Sequence, residues 1–326
     1  MIRVEQLVYG TFGFTQGFTL VSTSAGITPR LAHDAVVVCT GWGEILSPDF
    51  RSALYHVPLL GDLEGAGSLD DSSDPDASRD PDALRDPDAS HGLDRPDRPD
   101  GSDGPDEGKA LVHLVGKAIR QGTDRGDRMA WYHQVLALSH SDYLAAGADC
   151  FAFDAAGFFK ERWFESDRCT ALEVASDVLP RFERESIAAT DVPRIREVLA
   201  ALAEGAEVRL PVGRATRAVR QLQRAVLISL PLRLRARLSL ASFAYRPVRR
   251  YDFWSLHDQG GVAPATVGEV PVRRERRAPR SAGLAHAGEC AADWQLALEA
   301  GERLAARDWT GLREVLDRPL EEGKDS

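Results

Sequence analysis

Asp74-Pro75-Asp76-Ala77-Ser78-Arg79, Asp80-Pro81-Asp82-Ala83-Leu84-Arg85 and Asp86-Pro87-Asp88-Ala89-Ser90-His91 are three consecutive copies of one six-residue unit. They sit inside an acidic stretch, residues 61 to 108, which holds fourteen Asp and two Glu against four Arg, a net charge of −12. The whole chain of 326 residues carries only −10, so the acidity belongs to one segment and not to a folded surface. With almost nothing apolar to bury, this segment cannot offset its chain entropy, and the sequence predicts that it is disordered. It splits the first folded unit in two, and the rest of the chain has to be read around it.

Working outward, the first unit reads as a sheet. Val4 to Phe12 alternates as a strand, and a glycine-marked turn leads to a second at Phe18 to Ser24, so the opening is a β-hairpin. Thr28-Pro29 places a capping hydroxyl before a proline at the first helical position. That helix runs to about Thr40 and stops at Gly41-Trp42-Gly43. Ser52 to Leu60 is a strand entering the acidic stretch, and Ala110 to Arg120 and Met129 to Leu138 are two more beyond it. A long polar excursion between neighbouring strands costs little beyond loop closure. The aromatic residues Phe151, Phe153, Phe158, Phe159, Trp163 and Phe164 read as core.

The second unit is smaller and richer in helix. Thr190-Asp191-Val192-Pro193 starts a helix through Ala203, ended by Gly205. Glu207 to Val212 is a strand, and Arg214 to about Leu230 is a helix broken by Pro231. Leu232 to Tyr245 alternates as a strand, with a short helix at its start as the alternative, and Arg249 to Leu256 is a further strand. The expected fold class is α+β: a mostly antiparallel N-terminal sheet with helices (residues 1–60 and 109–165), interrupted by a disordered acidic insert (61–108). The helix-rich unit follows at 166–259, then a Gly-, Pro- and Arg-rich linker at 260–288 and amphipathic C-terminal helices at 289–318.

Four cysteines, Cys39, Cys150, Cys169 and Cys290, are scattered without a CxxC spacing, which suits a reducing cytosol. The start of the chain has no apolar core of a signal peptide and no run approaches the length of a membrane span, so a cytoplasmic protein with no membrane partner is expected. Arg outnumbers Lys by 36 to 4, which reads mainly as coding bias.

The familiar catalytic patterns do not assemble. Gly116-Lys117-Ala118 lacks the upstream glycine and the magnesium-binding hydroxyl of a phosphate-binding loop, and lies within a strand. No His-x-x-x-His pair or cysteine pair marks a metal site, and the Asp-Pro-Asp repeats lack the glycine turn and terminal glutamate of a calcium loop. Ser139-His140-Ser141-Asp142 has the residue types of a triad, but contiguous residues read as a strand end and helix cap. Cys150 with His133 is the remaining nucleophile–base pair, against a plain reading as a buried thiol and a strand histidine. No catalytic residue, cofactor or metal is therefore assigned. Residues 181 to 280 hold twenty Arg against ten acidic residues, and on a strand Arg233, Arg235 and Arg237 would share one face. Nucleic acid is a candidate partner on that ground, weighed against a solvated face.

The run Val4-Glu5-Gln6-Leu7-Val8-Tyr9-Gly10-Thr11-Phe12, with Gly17-Phe18 and Ser24-Ala25-Gly26, resembles the start of the bacterial GTPase-associated protein family. Met129-Ala130-Trp131-Tyr132-His133, Ser141-Asp142-Tyr143 and Gly147-Ala148-Asp149-Cys150-Phe151 extend the resemblance. The run from Leu230-Pro231-Leu232-Arg233 to Leu238-Ser239 is similar to part of the family's middle domain. The acidic repeats and a much reduced C-terminal part depart from the family. The resemblance implies a non-enzymatic adaptor or regulator beside a GTPase in a bacterial conflict or defence system. Its candidate interaction surface would include Tyr9 and Phe12 of the first strand and Arg233, Arg235 and Arg237. Two alternatives stand beside it: a nucleic-acid-binding module using the Arg-rich unit, and a hydrolase of unknown class using Cys150 and His133.

Overall fold

Gly61 stands opposite Ala110, and from that rung the chain pairs continuously back to Ser52 opposite Ile119. The strands flanking the acidic stretch are direct neighbours. The computed structural model describes residues 1–10, 19–39, 52–61, 63, 110–123, 129–164, 166–175, 177, 179, 191–214, 216–244, 251–258, 261–275 and 291–318. The expected disorder of residues 61–108 therefore lies outside the described residues, except at Gly61, which ends a strand, and Leu63, which bridges to Ile27.

In chain order the strands are β1 (Ile2–Gly10), β2 (Thr19–Thr23), β3 (Ser52–Gly61), β4 (Ala110–Thr123), β5 (Met129–Ser139), β6 (Leu172–Val174), β7 (Glu207–Val212), β8 (Leu240–Ala244), β9 (Phe253–His257) and β10 (Arg273–Glu275). The helices are α1 (Pro29–Cys39), α2 (His140–Ala145), α3 (Cys150–Ala155), α4 (Val192–Ala203), α5 (Arg217–Ile228), α6 (Leu232–Arg237), α7 (Ala291–Ala305) and α8 (Trp309–Leu316). Among the described residues the strands form one ten-stranded sheet in the order β10-β7-β9-β8-β3-β4-β5-β1-β2, with β6 also on β1. The fold is mixed α/β with one large sheet. Its pairings are antiparallel except β7–β9 and β8–β9, which are parallel. The β3–β8 pairing carries the sheet across from the N-terminal strands to those of residues 207–257.

Local chemistry accounts for the boundaries. Thr28 Oγ1 accepts from Leu31 N at 3.1 Å at the start of α1, and Asp191 caps α4 with a proline behind it. Gly205 leaves α4 with φ +73°, a left-handed conformation that favours glycine. The strands alternate between two faces. On one face Leu31 of α1 lies near Gly61, and Tyr55, Gly116 and His133 share that face, with Tyr55 opposite Gly116 and His133 two residues from Val135, the partner of Gly116. On the other, Lys117 bonds Asp154 of α3 at 2.5 Å. There Gln134 bonds Gln6 and the backbone of Phe158 and Lys160, pinning the chain after α3 onto the sheet. Both faces are covered, so β1 is buried at every residue but Arg3.

Two sequence expectations need correction. Leu232 to Tyr245 is not one strand: it is the helix α6 followed by β8, with 245 outside the described residues. Leu234 and Leu238 lie one helical turn apart and are both buried, so the leucine spacing suits a helix as well as a strand. The stretch read as a linker contains structure as well. Val267 and Val270 are buried, and Arg273 to Glu275 add β10 to the edge of the sheet, where Arg209 of β7 bonds Glu275 at 2.7 Å.

Candidate functional site

β3 and β4 place His56 and His113 on one face. His56 lies opposite Val115 and Pro58 opposite His113, which makes the two imidazoles diagonal neighbours. β5 ends at Ser139, whose hydroxyl accepts from Asp142 N at 3.1 Å and so starts α2. That turn delivers His140 beside His113. The three imidazoles then form a chain. His56 Nδ1 lies 2.8 Å from Leu238 O, His56 Nε2 is 3.1 Å from His113 Nδ1, and His113 Nε2 is 2.8 Å from His140 Nδ1. The buried ring of Tyr143 stacks on His56 and His113 with centroids 4.6 and 4.4 Å away.

The inner end fixes one proton. Leu238 O only accepts, so His56 donates through Nδ1. Uncharged His113 donates through one ring nitrogen and accepts through the other, so it links His56 Nε2 to His140 Nδ1. His140 is the half-buried outer end of the chain. Burial, with the neighbouring His56 and His140, lowers His113 to a pKa of about 2, so it stays neutral at ordinary pH. His140 is lowered too, first by burial and then by the charges of Arg237 and Arg233 on α6.

α6 thus serves both ends of the chain. It leads directly into Leu238, whose carbonyl closes the inner end, and it carries Arg233 and Arg237 one turn apart, whose charges help to lower His140. The three arginines read from the sequence part company here. Arg233 is exposed and Arg237 half-buried. Arg235 turns inward and donates to Ile228 O and Leu230 O at 2.7 Å and to Gly147 O at 3.3 Å. Tyr9 is only 7% exposed, so its ring does not form part of an outer face, and Phe12 lies outside the described residues.

Cys150 and His133 are held apart by the sheet. His133 faces Tyr55, with its Nδ1 3.3 Å from the Tyr55 hydroxyl, on the α1 side. Cys150 begins α3, on the side of Lys117 and His113. Burial pushes the Cys150 thiol well above its ordinary range and lowers His133 to about 3, so each group is held uncharged. Gly116-Lys117-Ala118 lies within β4, and Lys117 is paired with Asp154. Among the described residues no group of three or more His, Cys, Asp or Glu is placed to hold a metal ion, and no helix is long and apolar enough to cross a membrane.

The histidine chain escaped the sequence reading. Its members come from three segments, and their meeting depends on the β3–β4 register across the acidic insert. The one local signal was the strand end and helix cap read at Ser139-His140, which fixes where His140 sits but not what it meets. No protein-family model, curated protein or solved structure matches this chain.

Proposed function

We propose that this protein acts by binding, as a non-enzymatic adaptor or regulatory partner of a GTPase in a bacterial conflict or defence system. The GTPase and the setting rest on the resemblance of the β1, β5, α2 and α6 segments to the GTPase-associated family. The observation that carries the non-enzymatic part is the separation of Cys150 and His133. A thiol and an imidazole on opposite faces of a sheet, both kept neutral by burial, lack the contact through which a base activates a nucleophile.

The nucleic-acid alternative draws on the arginine surplus, and many of those arginines are engaged within the fold. Arg209 bonds Glu207 and Glu275, Arg194 bonds Glu197 and Gly268 O, Arg224 pairs with Asp149, and Arg235 bonds three carbonyls. Co-purification with a GTPase from a neighbouring gene, tested by pull-down and by nucleotide turnover of each protein alone, checks the proposal. Recovery of the GTPase with no turnover by this protein is expected. No recovery, together with turnover by this protein alone, would replace the adaptor with an enzyme.

A further inference from the structure

The donor and acceptor rules leave the histidine chain two arrangements of hydrogen. In both, His56 donates through Nδ1 to Leu238 O, because a carbonyl only accepts. In the first, His113 donates from Nδ1 to His56 Nε2, and His140 donates from Nδ1 to His113 Nε2. In the second, His56 donates from both nitrogens and so is charged, and His113 donates from Nε2 to His140 Nδ1. With His140 neutral in each, the second arrangement holds one proton more than the first. No heavy atom has to move between them, since the same nitrogens, 3.1 and 2.8 Å apart, are bonded in both.

We propose that His140, His113 and His56 form a proton relay, which takes one proton from solvent at His140 and places it on His56 where the two groups of strands join. The proton binds His140 Nε2. His140 then passes its Nδ1 proton to His113 Nε2, and His113 passes its own Nδ1 proton to His56 Nε2. One proton enters, one positive charge appears on His56, and His113 and His140 end neutral with their hydrogens on Nε2. Among the described residues the β3–β8 ladder has two residue pairs, Tyr55–Ala241 and His56–Leu240, and the bond from His56 to Leu238 O extends it. A charge on His56 strengthens that bond, so the relay tunes the join to pH.

The surroundings steer the charge inward. Burial opposes it at His113, and the charges of Arg237 and Arg233 oppose it at His140. His56 is buried too, but there the Leu238 carbonyl and the face of the Tyr143 ring, 4.6 Å away between centroids, offset the cost. Tyr143 of α2 and Cys150 of α3 are both held protonated. The other charged groups on these elements are engaged. Asp142 of α2 accepts from Ser139, Lys117 of β4 pairs with Asp154 of α3, and Asp149 pairs with Arg224 of α5. Arg235 of α6 bonds three carbonyls, and Asp252 accepts from the Ser239 amide and hydroxyl. The relay stands on the bonding order of the three rings and is independent of the adaptor proposal.

The test follows the full chain, labelled with 15N-histidine, by long-range side-chain 1H–15N spectra as pH is lowered, for as long as the backbone spectrum remains that of the fold. His113 should carry its hydrogen on Nδ1 at the upper end and on Nε2 at the lower, with all three rings changing at one midpoint. His133, on the other face of the sheet, should stay unchanged. His140→Leu removes the entry nitrogen and the acceptor for His113 Nε2–H, so the reversal at His113 should be lost. Titration of His140 alone, a His113 hydrogen that stays on one nitrogen, or a reversal that persists in His140→Leu would each overturn the relay. The first two outcomes are read on the parent chain and decide the matter even if the variant does not fold.

Discussion

Gly116 stands opposite Tyr55 across the β3–β4 ladder, and the Tyr55 ring covers the place where any other residue at 116 would put its Cβ. The glycine is there to admit a ring and not to wrap a phosphate. Gly116→Ala should therefore destabilise the fold by about 1–3 kcal/mol, the cost of overpacking a close-packed site. Urea denaturation compared with the parent chain measures it. An unchanged midpoint would mean that the ring moves aside freely.

Arg235 and Arg233, two residues apart on α6, should respond in opposite ways. Arg235→Met strands the carbonyls of Ile228, Leu230 and Gly147 and should cost about 3 kcal/mol, the scale of several lost hydrogen bonds to a charge. Arg233→Gln should stay within about 0.5 kcal/mol, as for most exposed substitutions. The two unfolding curves should separate clearly; superimposed curves would contradict the inward placement of Arg235.

Stability should fall on acidification well before the carboxylates titrate. His113 and His133 have folded pKa values of about 2 and 3, below the ordinary 6.5. Between those values and 6.5 the unfolded chain binds protons that the fold excludes. Their contribution is full above pH 6.5 and is lost as pH falls toward 3. Each histidine adds a slope of about 1.4 kcal/mol per pH unit. Unfolding free energies at pH 7, 6 and 5 should show the fall, and His133→Phe should remove about one proton's worth of the slope.

Replacing residues 64–108 by a short Gly/Ser linker should change stability by less than about 1 kcal/mol, because loop-closure entropy varies slowly with length. Extending the deletion back through Gly61 should cost more, since Gly61 completes the β3–β4 ladder and Leu63 packs against the core beside Ile27. Thermal melts of the two deletions distinguish them. Equal loss from both would place a stabilising role within 64–108.

Elements with local signals were legible. Thr28-Pro29, Asp191-Val192-Pro193 and the run Glu207–Val212 each carry their cap or alternation within a few residues, and the structure starts α1, α4 and β7 there. α6 was read mainly as a strand because six residues of alternating Leu and Arg satisfy both periods, and the arbiter was tertiary: Arg235 finding carbonyls at the end of α5. β10 was hidden because a three-residue edge strand has too little pattern to show. The histidine chain was hidden for another reason. His56 and His113 are 57 positions apart, and local periodicity says nothing about a register set across the acidic stretch.

The rung at Gly61 and Ala110 also bears on how such a chain changes over generations. Opposed residues of an antiparallel pair lie about 5 Å apart, so the β3–β4 ladder holds the two ends of the acidic stretch side by side. The sheet therefore keeps no count of what lies between. Copies of the Asp-Pro-Asp hexapeptide can be gained or dropped in whole units without displacing a strand, an arginine of α6 or a ring of the histidine chain. The three near-identical repeats at 74–91 fall between strands whose pairing is set by Gly61 and Ala110 rather than by the number of copies.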